Sequence, residues 1–312
     1  MKTAFLFPGQ GSQSIAMLAD LAAQYPLVSE VFAEASDSLG MDLWDLAQHG
    51  PEEKLNQTEY TQPVLLAADL AVWRLWQSLD GRVPDFMAGH SLGEYSALVA
   101  AGSLSLADGI KLVAIRGQLM QAATPPGTGA MAAIIGLDDT AVETACAQAA
   151  SVGIVSAANY NSPGQVVIAG ERAAVEKACE YCSELGARRA IILAVSVPSH
   201  CALMQPAAKL LAKSFDELKL QASQIPVLHN TNTSISDNVE SIKKHLLEQL
   251  YLPVRWHSSI SWLLANEVAA FAECGPGKVL SGLNRRIARR IPITALENPA
   301  IFEKTLLQWS EF

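Results

Sequence analysis

A serine flanked by glycines, Gly89-His90-Ser91-Leu92-Gly93, stands between an apolar run ending at Met87-Ala88 and the small-residue, helix-compatible segment Tyr95-Ser96-Ala97-Leu98-Val99-Ala100-Ala101. That succession asks for a strand that passes into a helix through a very sharp turn, and so for an α/β architecture. The flanking glycines allow the two elements to approach without a Cβ clash, and the serine hydroxyl is left exposed at the strand's end. The short pattern arises by chance in many chains, and the strand before it and helix after it are what give it chemical meaning. In that context Ser91 is a candidate nucleophile. The competing reading is an ordinary strand-to-helix turn in which glycine serves only geometry.

A serine needs a base to become nucleophilic at neutral pH. His200, in Ser196-Val197-Pro198-Ser199-His200-Cys201, also occupies a strand-to-helix loop, between a strand expected at 190–195 and a helix expected at 202–218. His229 and His257 compete for the role, and His90 faces the wrong way for a turn-borne base. A helix is expected over 106–122, with Ser105 as N-cap. Within it Arg116 shares a face with Val113 and Met120, where an unpartnered buried cation would cost several kcal/mol. Either something anionic meets it, or it snorkels to water or pairs with a nearby carboxylate.

Residues 3–7 read as a buried strand followed by the glycine-rich turn Pro8-Gly9-Gln10-Gly11-Ser12-Gln13. The Lys-Ser/Thr pair of a phosphate loop is missing, and serine stands where the third glycine of a dinucleotide fingerprint would fall, which argues against nucleotide binding. Free backbone N–H groups in this turn could still serve an oxyanion. Helical patterns follow over 17–40, broken at Pro26, and over 65–79, the latter apolar nearly all round.

Beyond Thr124-Pro125-Pro126-Gly127-Thr128-Gly129 the rhythm changes. Strand-like 130–135, helix-like 140–150, strand-like 153–158 and 166–169, helix-like 171–185 and strand-like 190–195 give the order βαββαβ. This is the split βαβ of a ferredoxin-like module, expected at 127–196 as an insert between residues 1–126 and 197–312 of a larger unit. Its inner loop, Asn159-Tyr160-Asn161-Ser162-Pro163-Gly164-Gln165, is rich in turn formers, which leaves its amides as the functional candidates. The last part reads as a strand at 226–228, helices at 238–250 and 256–264, a strand at 268–274, the turn Gly275-Pro276-Gly277 and a basic helix carrying Arg285, Arg286, Arg289 and Arg290.

Half of the 312 residues are apolar, enough for a large core, and the net charge of −9 with no Lys/Arg tract argues against nucleic-acid binding. No apolar stretch reaches the roughly 18 residues of a membrane span, and the N-terminal run is too short for a signal peptide, so a soluble cytoplasmic protein is expected. The five scattered cysteines fit reduced thiols. Cys179 and Cys182 lie in one expected helix without a second pair, which favours a structural role over zinc or redox work.

Together, Phe7-Pro8-Gly9-Gln10-Gly11-Ser12-Gln13, Gly89-His90-Ser91-Leu92-Gly93-Glu94, Arg116, the Asn159–Gln165 loop and Val197-Pro198-Ser199-His200 closely resemble the malonyl-CoA:acyl carrier protein transacylases of bacterial fatty-acid synthesis. More distantly they resemble the acyltransferase domains of polyketide synthases. The motifs run in order from Phe7 to Gly277. The resemblance implies an α/β-hydrolase-like large domain with the ferredoxin-like insert. It implies Ser91 as the acyl-accepting nucleophile and His200 as general base and acid, with the backbone N–H groups of Gln10 and Leu92 as oxyanion hole. Arg116 would clamp the malonate carboxylate, Asn159 and Asn161 would contact substrate, and Gln249 would hold His200 through its backbone carbonyl. Polyketide malonyl domains tend to carry an aromatic residue just before the histidine; Ser199 here leans toward the fatty-acid enzymes.

Malonyl-CoA and an acyl carrier protein are thus the implied partners, with no metal, prosthetic group, nucleic acid or membrane, and a monomer is expected. Carrier proteins of this kind are typically acidic, as is this chain, so docking needs a local basic patch. Arg285, Arg286, Arg289 and Arg290 are its candidates, against the plainer reading of a solvated charged face. Two rivals stand beside this reading: a serine hydrolase, which would need an acid to orient its histidine, and a non-catalytic homologue that only binds the carrier.

Overall fold

The computed structural model describes residues 1–195, 197–236 and 238–311. Its strands are β1 (Lys2–Phe7), β2 (Phe86–Gly89), β3 (Gly129–Ile135), β4 (Val155–Ser162), β5 (Gln165–Glu171), β6 (Arg189–Ile192), β7 (Val227–Leu228), β8 (Val268–Glu273) and β9 (Ile293–Ala295). They form two sheets, a five-stranded one in the order β7-β2-β1-β8-β9 and a four-stranded one in the order β4-β5-β3-β6.

The larger sheet is parallel throughout. A parallel sheet is covered on both faces, which explains why the central β1 is apolar without alternation from Ala4 to Phe7. Phe5 and Phe7 join the main core, whereas Ala4 and Leu6 point into a second core with Trp256, Leu263 and Leu280. Phe5 meets Trp73, Trp76 and Trp309 edge-on, with ring centroids 5.1–5.4 Å apart.

The smaller sheet is antiparallel, with β3 between β5 and β6 and β4 at the far edge. The helices Asp139–Ala149 and Arg172–Glu184 cover one of its faces. On the other face Met131, Ala158, Val167 and Ala169 pack with Cys201, the residue after His200. Backbone bonds of 2.9 Å from Tyr160 N–H to the Val254 carbonyl and from Val254 N–H to the Ala158 carbonyl fasten β4 to the larger unit. A recess is thereby framed between the open face of the small sheet and the C-terminal ends of β1 and β2.

Several elements differ from the sequence expectation. The helix expected from residue 65 begins at Thr58 and contains Pro63; so near the N-terminus the proline forfeits one intrahelical bond, and burial of the second turn offsets it. The helix expected at 202–218 is a 3-10 turn (Ala202–Met204), a short α-helix (Gln205–Leu211) and another 3-10 stretch (Ala212–Glu217); the α-helix starts with Pro206 in its first turn, where the missing N–H forfeits no intrahelical bond. The basic helix is Val279–Ile287 only. Arg289 and Arg290 lie in a turn ahead of Pro292, not on that helix. Ser196, the expected last residue of the insert, is outside the described residues. Among the described residues, no helix is long and apolar enough to cross a membrane, and the five cysteines are unpaired.

Candidate active site

β2 ends at Gly89, and the helix Leu92–Ala100 begins three residues later. Ser91 bridges them at φ 53° and ψ −106°, a conformation L-residues rarely adopt. Close contact on both sides requires the glycines: a Cβ on Gly89 would fall 1.9 Å from the Gly93 carbonyl, and one on Gly93 would fall 2.0 Å from the Phe7 oxygen. Asn230 latches the turn, accepting from Ser91 N–H at 2.8 Å and donating through Nδ2 to the Gly89 carbonyl at 2.7 Å.

His200 Nε2 lies 2.8 Å from Ser91 Oγ, and His200 Nδ1 lies 2.6 Å from the backbone oxygen of Gln249. A carbonyl only accepts, so the ring proton sits on Nδ1 and the Nε2 lone pair faces the serine hydroxyl. The histidine is buried, and its pKa is pushed down to about 3, first by burial and then by the Arg116 charge, against the opposing bond to Gln249. A neutral imidazole, the form that can take a proton, is therefore held over a wide pH range.

Arg116, on the helix Leu106–Ala122, is 1% exposed. Its NH1 donates to Gln62 Oε1 at 2.7 Å; its NH2 donates to Gln249 Oε1 at 2.9 Å and to Ser91 Oγ at 3.3 Å. The Tyr95 ring lies 5.0 Å from its Cζ. Both alternatives to an anionic guest are corrected here: the side chain does not reach water, and among the described residues no carboxylate forms a salt bridge with it. Neutral amides hold it, and it stays positively charged. Gln62 and Gln249 each take one of its terminal nitrogens without cancelling its charge, and its buried Nε has no hydrogen-bond partner among the described residues.

The other histidines are engaged elsewhere. His90 is turned to Asn161, with Nε2 2.8 Å from Oδ1. His229 Nδ1 is 2.6 Å from the fully buried Glu94 carboxylate. His257 lies on the helix Trp256–Ala265, where it interacts with Asp139.

A cavity of about 300 Å³ opens in front of the serine. Gln10, His90, Ser91, Asn159, Asn161 and His200 supply its polar lining, while Met131, Val167, Leu193 and Val279 supply apolar wall from both units. The loop after β1 presses on the elbow: a Cβ at Gly9 would be 2.4 Å from the His90 oxygen and 3.7 Å from Leu92 N. That places Gln10 beside the first residue of the helix, whose N–H has no intrahelical acceptor. Arg286 and Arg289 border a separate cleft with Arg188 and Arg189, and Arg286 NH1 donates to Gln165 Oε1 at 2.6 Å. Gln165 also lines the serine cavity, so the two recesses adjoin. Arg285 and Arg290 are exposed and do not border that cleft.

Four residues at the centre carried no role in the sequence reading: Gln62, Glu94, Tyr95 and Asn230. Gln62, in the mixed stretch Glu59-Tyr60-Thr61-Gln62, and Glu94, in the first turn of a helix, offer no local signal. Asn230 offers none either.

A family model described as an acyl transferase domain matches residues 4–290. The malonyl CoA-acyl carrier protein transacylase of Salmonella typhimurium is 52% identical over 98% of this chain and 99% of its own length. That of Bacillus subtilis is 45% identical over 97% and 95%. Among solved structures, an acyl carrier protein S-malonyltransferase from Vibrio cholerae superimposes with a TM-score of 0.96 at 55% identity, covering 98% of this chain and all of that one. A type II PKS acyl-carrier protein in complex with its malonyl-transacylase gives a TM-score of 0.97 at 51% identity, over 99% and 100%.

Proposed function

This chain belongs to the acyl transferase domain family, and from that premise we infer that it transfers the malonyl group of malonyl-CoA to the phosphopantetheine thiol of an acyl carrier protein, supplying fatty-acid chain elongation. The observation that carries the reading is one oxygen with two neighbours: Ser91 Oγ faces the lone pair of a neutral histidine at 2.8 Å and a buried guanidinium at 3.3 Å.

The chemistry follows from that arrangement. His200 Nε2 takes the hydroxyl proton as Ser91 Oγ attacks the thioester carbonyl, and Nδ1–H stays on the Gln249 carbonyl to steady the imidazolium. The Gln10 and Leu92 N–H groups receive the oxyanion, at about 3 kcal/mol per donor for groups so preorganised. The C–S bond then breaks, CoA sulfur takes the proton from Nε2, and malonyl remains on Ser91. In the second half His200 deprotonates the carrier thiol, sulfur attacks the ester, and Ser91 recovers its proton, which is ping-pong transfer. The malonyl carboxylate is met by Arg116, whose NH2 exchanges its bond to Ser91 Oγ for a carboxylate oxygen. Acetyl would leave the guanidinium without an anion. Asn159 and Asn161 border the acyl pocket as substrate contacts.

Nucleophile, base and cation are all side chains, so the reaction is assigned no metal or prosthetic group. A serine hydrolase would orient its histidine with an acid; here a backbone carbonyl does so, and the nearest buried carboxylate, Glu94, holds His229 instead. The strand order β4-β5-β3-β6 with helices on one face supports a ferredoxin-like insert at 127–196, and the parallel sheet with a nucleophile elbow supports a hydrolase-like large domain at 1–126 and 197–312. We assign the exposed Arg285, Arg286, Arg289 and Arg290 to the docking of the acidic carrier and read the protein as a cytoplasmic monomer.

Intact-mass measurement after exposure to malonyl-CoA, with and without carrier protein, tests the reading. A malonyl adduct on Ser91 that passes to the carrier is expected. Free malonate without transfer would indicate a hydrolase, and failure to load Ser91 would indicate a non-catalytic carrier-binding protein.

A further inference from the structure

Behind the catalytic groups lies a buried carboxylate that the reaction does not touch. Glu94 accepts from His229 Nδ1 at 2.6 Å, from Asn230 N–H at 3.1 Å and from Gln249 Nε2 at 2.7 Å. Three N–H donors suit an ionised carboxylate, which only accepts. The same Gln249 nitrogen donates to the Ser91 carbonyl at 2.9 Å. With both amide hydrogens taken on that side, Gln249 Oε1 must face the other way, toward Arg116 NH2 at 2.9 Å.

We propose that Glu94 is a positioning residue for acyl selectivity: it fixes the orientation of the Gln249 amide and, through it, aims the Arg116 guanidinium at the acyl carboxylate. The inference rests on the assignment of Arg116 as the carboxylate clamp. Glu94, Gln249 and Arg116 are each no more than 1% exposed, so the negative and positive charges offset one another across a single amide. Direct contact between Glu94 and Arg116 would neutralise the clamp and leave an incoming malonyl group nothing to bind. Complete absence of a counter-charge would make the buried cation costly. The interposed amide avoids both outcomes, transmitting orientation while Arg116 NH2 keeps its contact with Ser91 Oγ, the contact a carboxylate oxygen would replace. Because His200 rests on the backbone oxygen of Gln249 and not on its side chain, the relay can be broken without moving the base.

The test is the rate of Ser91 acylation, followed by intact mass over a range of malonyl-CoA and acetyl-CoA concentrations, for the wild type, Glu94→Gln and Gln249→Leu. In Glu94→Gln the carboxamide can offer its own NH2 to Gln249 and turn the relay amide over. Half-saturation by malonyl-CoA is then expected to rise about tenfold or more while acetyl loading changes less than about threefold, the split that separates lost carboxylate binding from lost chemistry. Gln249→Leu, which keeps the backbone carbonyl but also gives up the bond to the Ser91 carbonyl, should slow acetyl loading somewhat and weaken malonyl loading by about tenfold more, and it carries the test should Glu94→Gln not fold. Equal losses with both acyl groups, or unchanged malonyl half-saturation, would overturn the proposal. Arg116→Ala keeps the two readings apart: if it loses malonyl selectivity and the relay variants do not, only the relay falls; if it retains malonyl selectivity, the clamp itself is misassigned and the relay with it.

Discussion

Ser91 and His200 share a backbone anomaly as well as a hydrogen bond. Their side chains meet at 2.8 Å, and both residues have positive φ, 53° at the serine and 62° at the histidine. Neither is glycine or asparagine, so each conformation costs on the order of 1–3 kcal/mol and persists only because its surroundings over-determine it. At the serine those surroundings are the Asn230 latch and the packed glycines; at the histidine they are two consecutive carbonyls, Gln249 receiving Nδ1–H and Leu250 receiving the backbone N–H at 2.9 Å. One short stretch of chain thus fixes both the ring and the backbone of the base.

The packing around the elbow makes a contrast between two glycines. Gly93→Ala would put a methyl 2.0 Å from the Phe7 carbonyl on the central strand, whereas Gly282, on the helix Val279–Ile287, has nothing within 4 Å of the same position. Urea denaturation should show Gly93→Ala destabilised by at least about 3 kcal/mol, if it folds at all, and Gly282→Ala stabilised by about 0.5–1 kcal/mol. A neutral Gly93→Ala would mean that the turn is not pressed against β1.

The depressed pKa of His200 sets the pH behaviour. Between its folded value of about 3 and the ordinary 6.5 the unfolded chain binds a proton that the native ring does not. Stability from this group therefore rises with pH across that window, is complete above 6.5, and is lost as acid takes pH down toward 3. The rate of Ser91 acylation at low malonyl-CoA, which reports the free enzyme, should likewise show no acid limb near pH 6.5 and fall only well below it. A limb centred at 6.5 would show that the ring titrates as if in water.

How far the fold could be read in advance depended on where each element draws its order. The helix Leu106–Ala122 has the bounds its periodicity and Ser105 cap anticipate, since its cap, its buried face and its end are all local. β3, the helix Asp139–Ala149 and the chain order of strands and helices between 129 and 192 are similarly close to their pattern. The short helix Leu43–His49 and the C-terminal helix Pro299–Ser310 lie outside the sequence expectation although each carries a local cap, Asp42 and Asn298, because neither segment is long enough for its periodicity to stand out. Arg116 stood out as a charge on an apolar face. Glu94 did not, because a carboxylate in the first turn of a helix is favoured by the helix dipole and asks for no further explanation; its partner Asn230 lies 136 positions away, a distance over which no local pattern speaks.

Removing the clamp should change preference more than capacity. Arg116→Ala deletes the cation and leaves Gln62 Oε1 and Gln249 Oε1 without their donors. Loss of a buried, charge-assisted contact is expected to cost malonyl about 3 kcal/mol, on the order of a hundredfold in kcat/KM, while acetyl loading persists at a reduced level. Competing malonyl-CoA and acetyl-CoA in one tube and weighing the acyl-enzyme measures the ratio directly. A retained preference for malonyl would move the clamp to another residue.

Docking is the step most exposed to salt. The chain carries a net charge of −9, so an acidic carrier meets general repulsion and must find a local exception. Arg286 and Arg289, facing Arg188 and Arg189 across a cleft beside the serine cavity, form such an exception at a place from which a pantetheine arm could enter. Arg286→Glu with Arg289→Glu should raise KM for carrier protein about tenfold or more at low ionic strength, with the difference from wild type shrinking as salt is added. KM for malonyl-CoA in the first half-reaction should rise far less, since CoA brings only its phosphates where the carrier brings an acidic protein surface. Because Arg286 also holds Gln165, whose side chain reaches the acyl pocket, the comparison has a built-in control: equal increases for both substrates would mean that the variant had disturbed the pocket and that these arginines do not choose the partner.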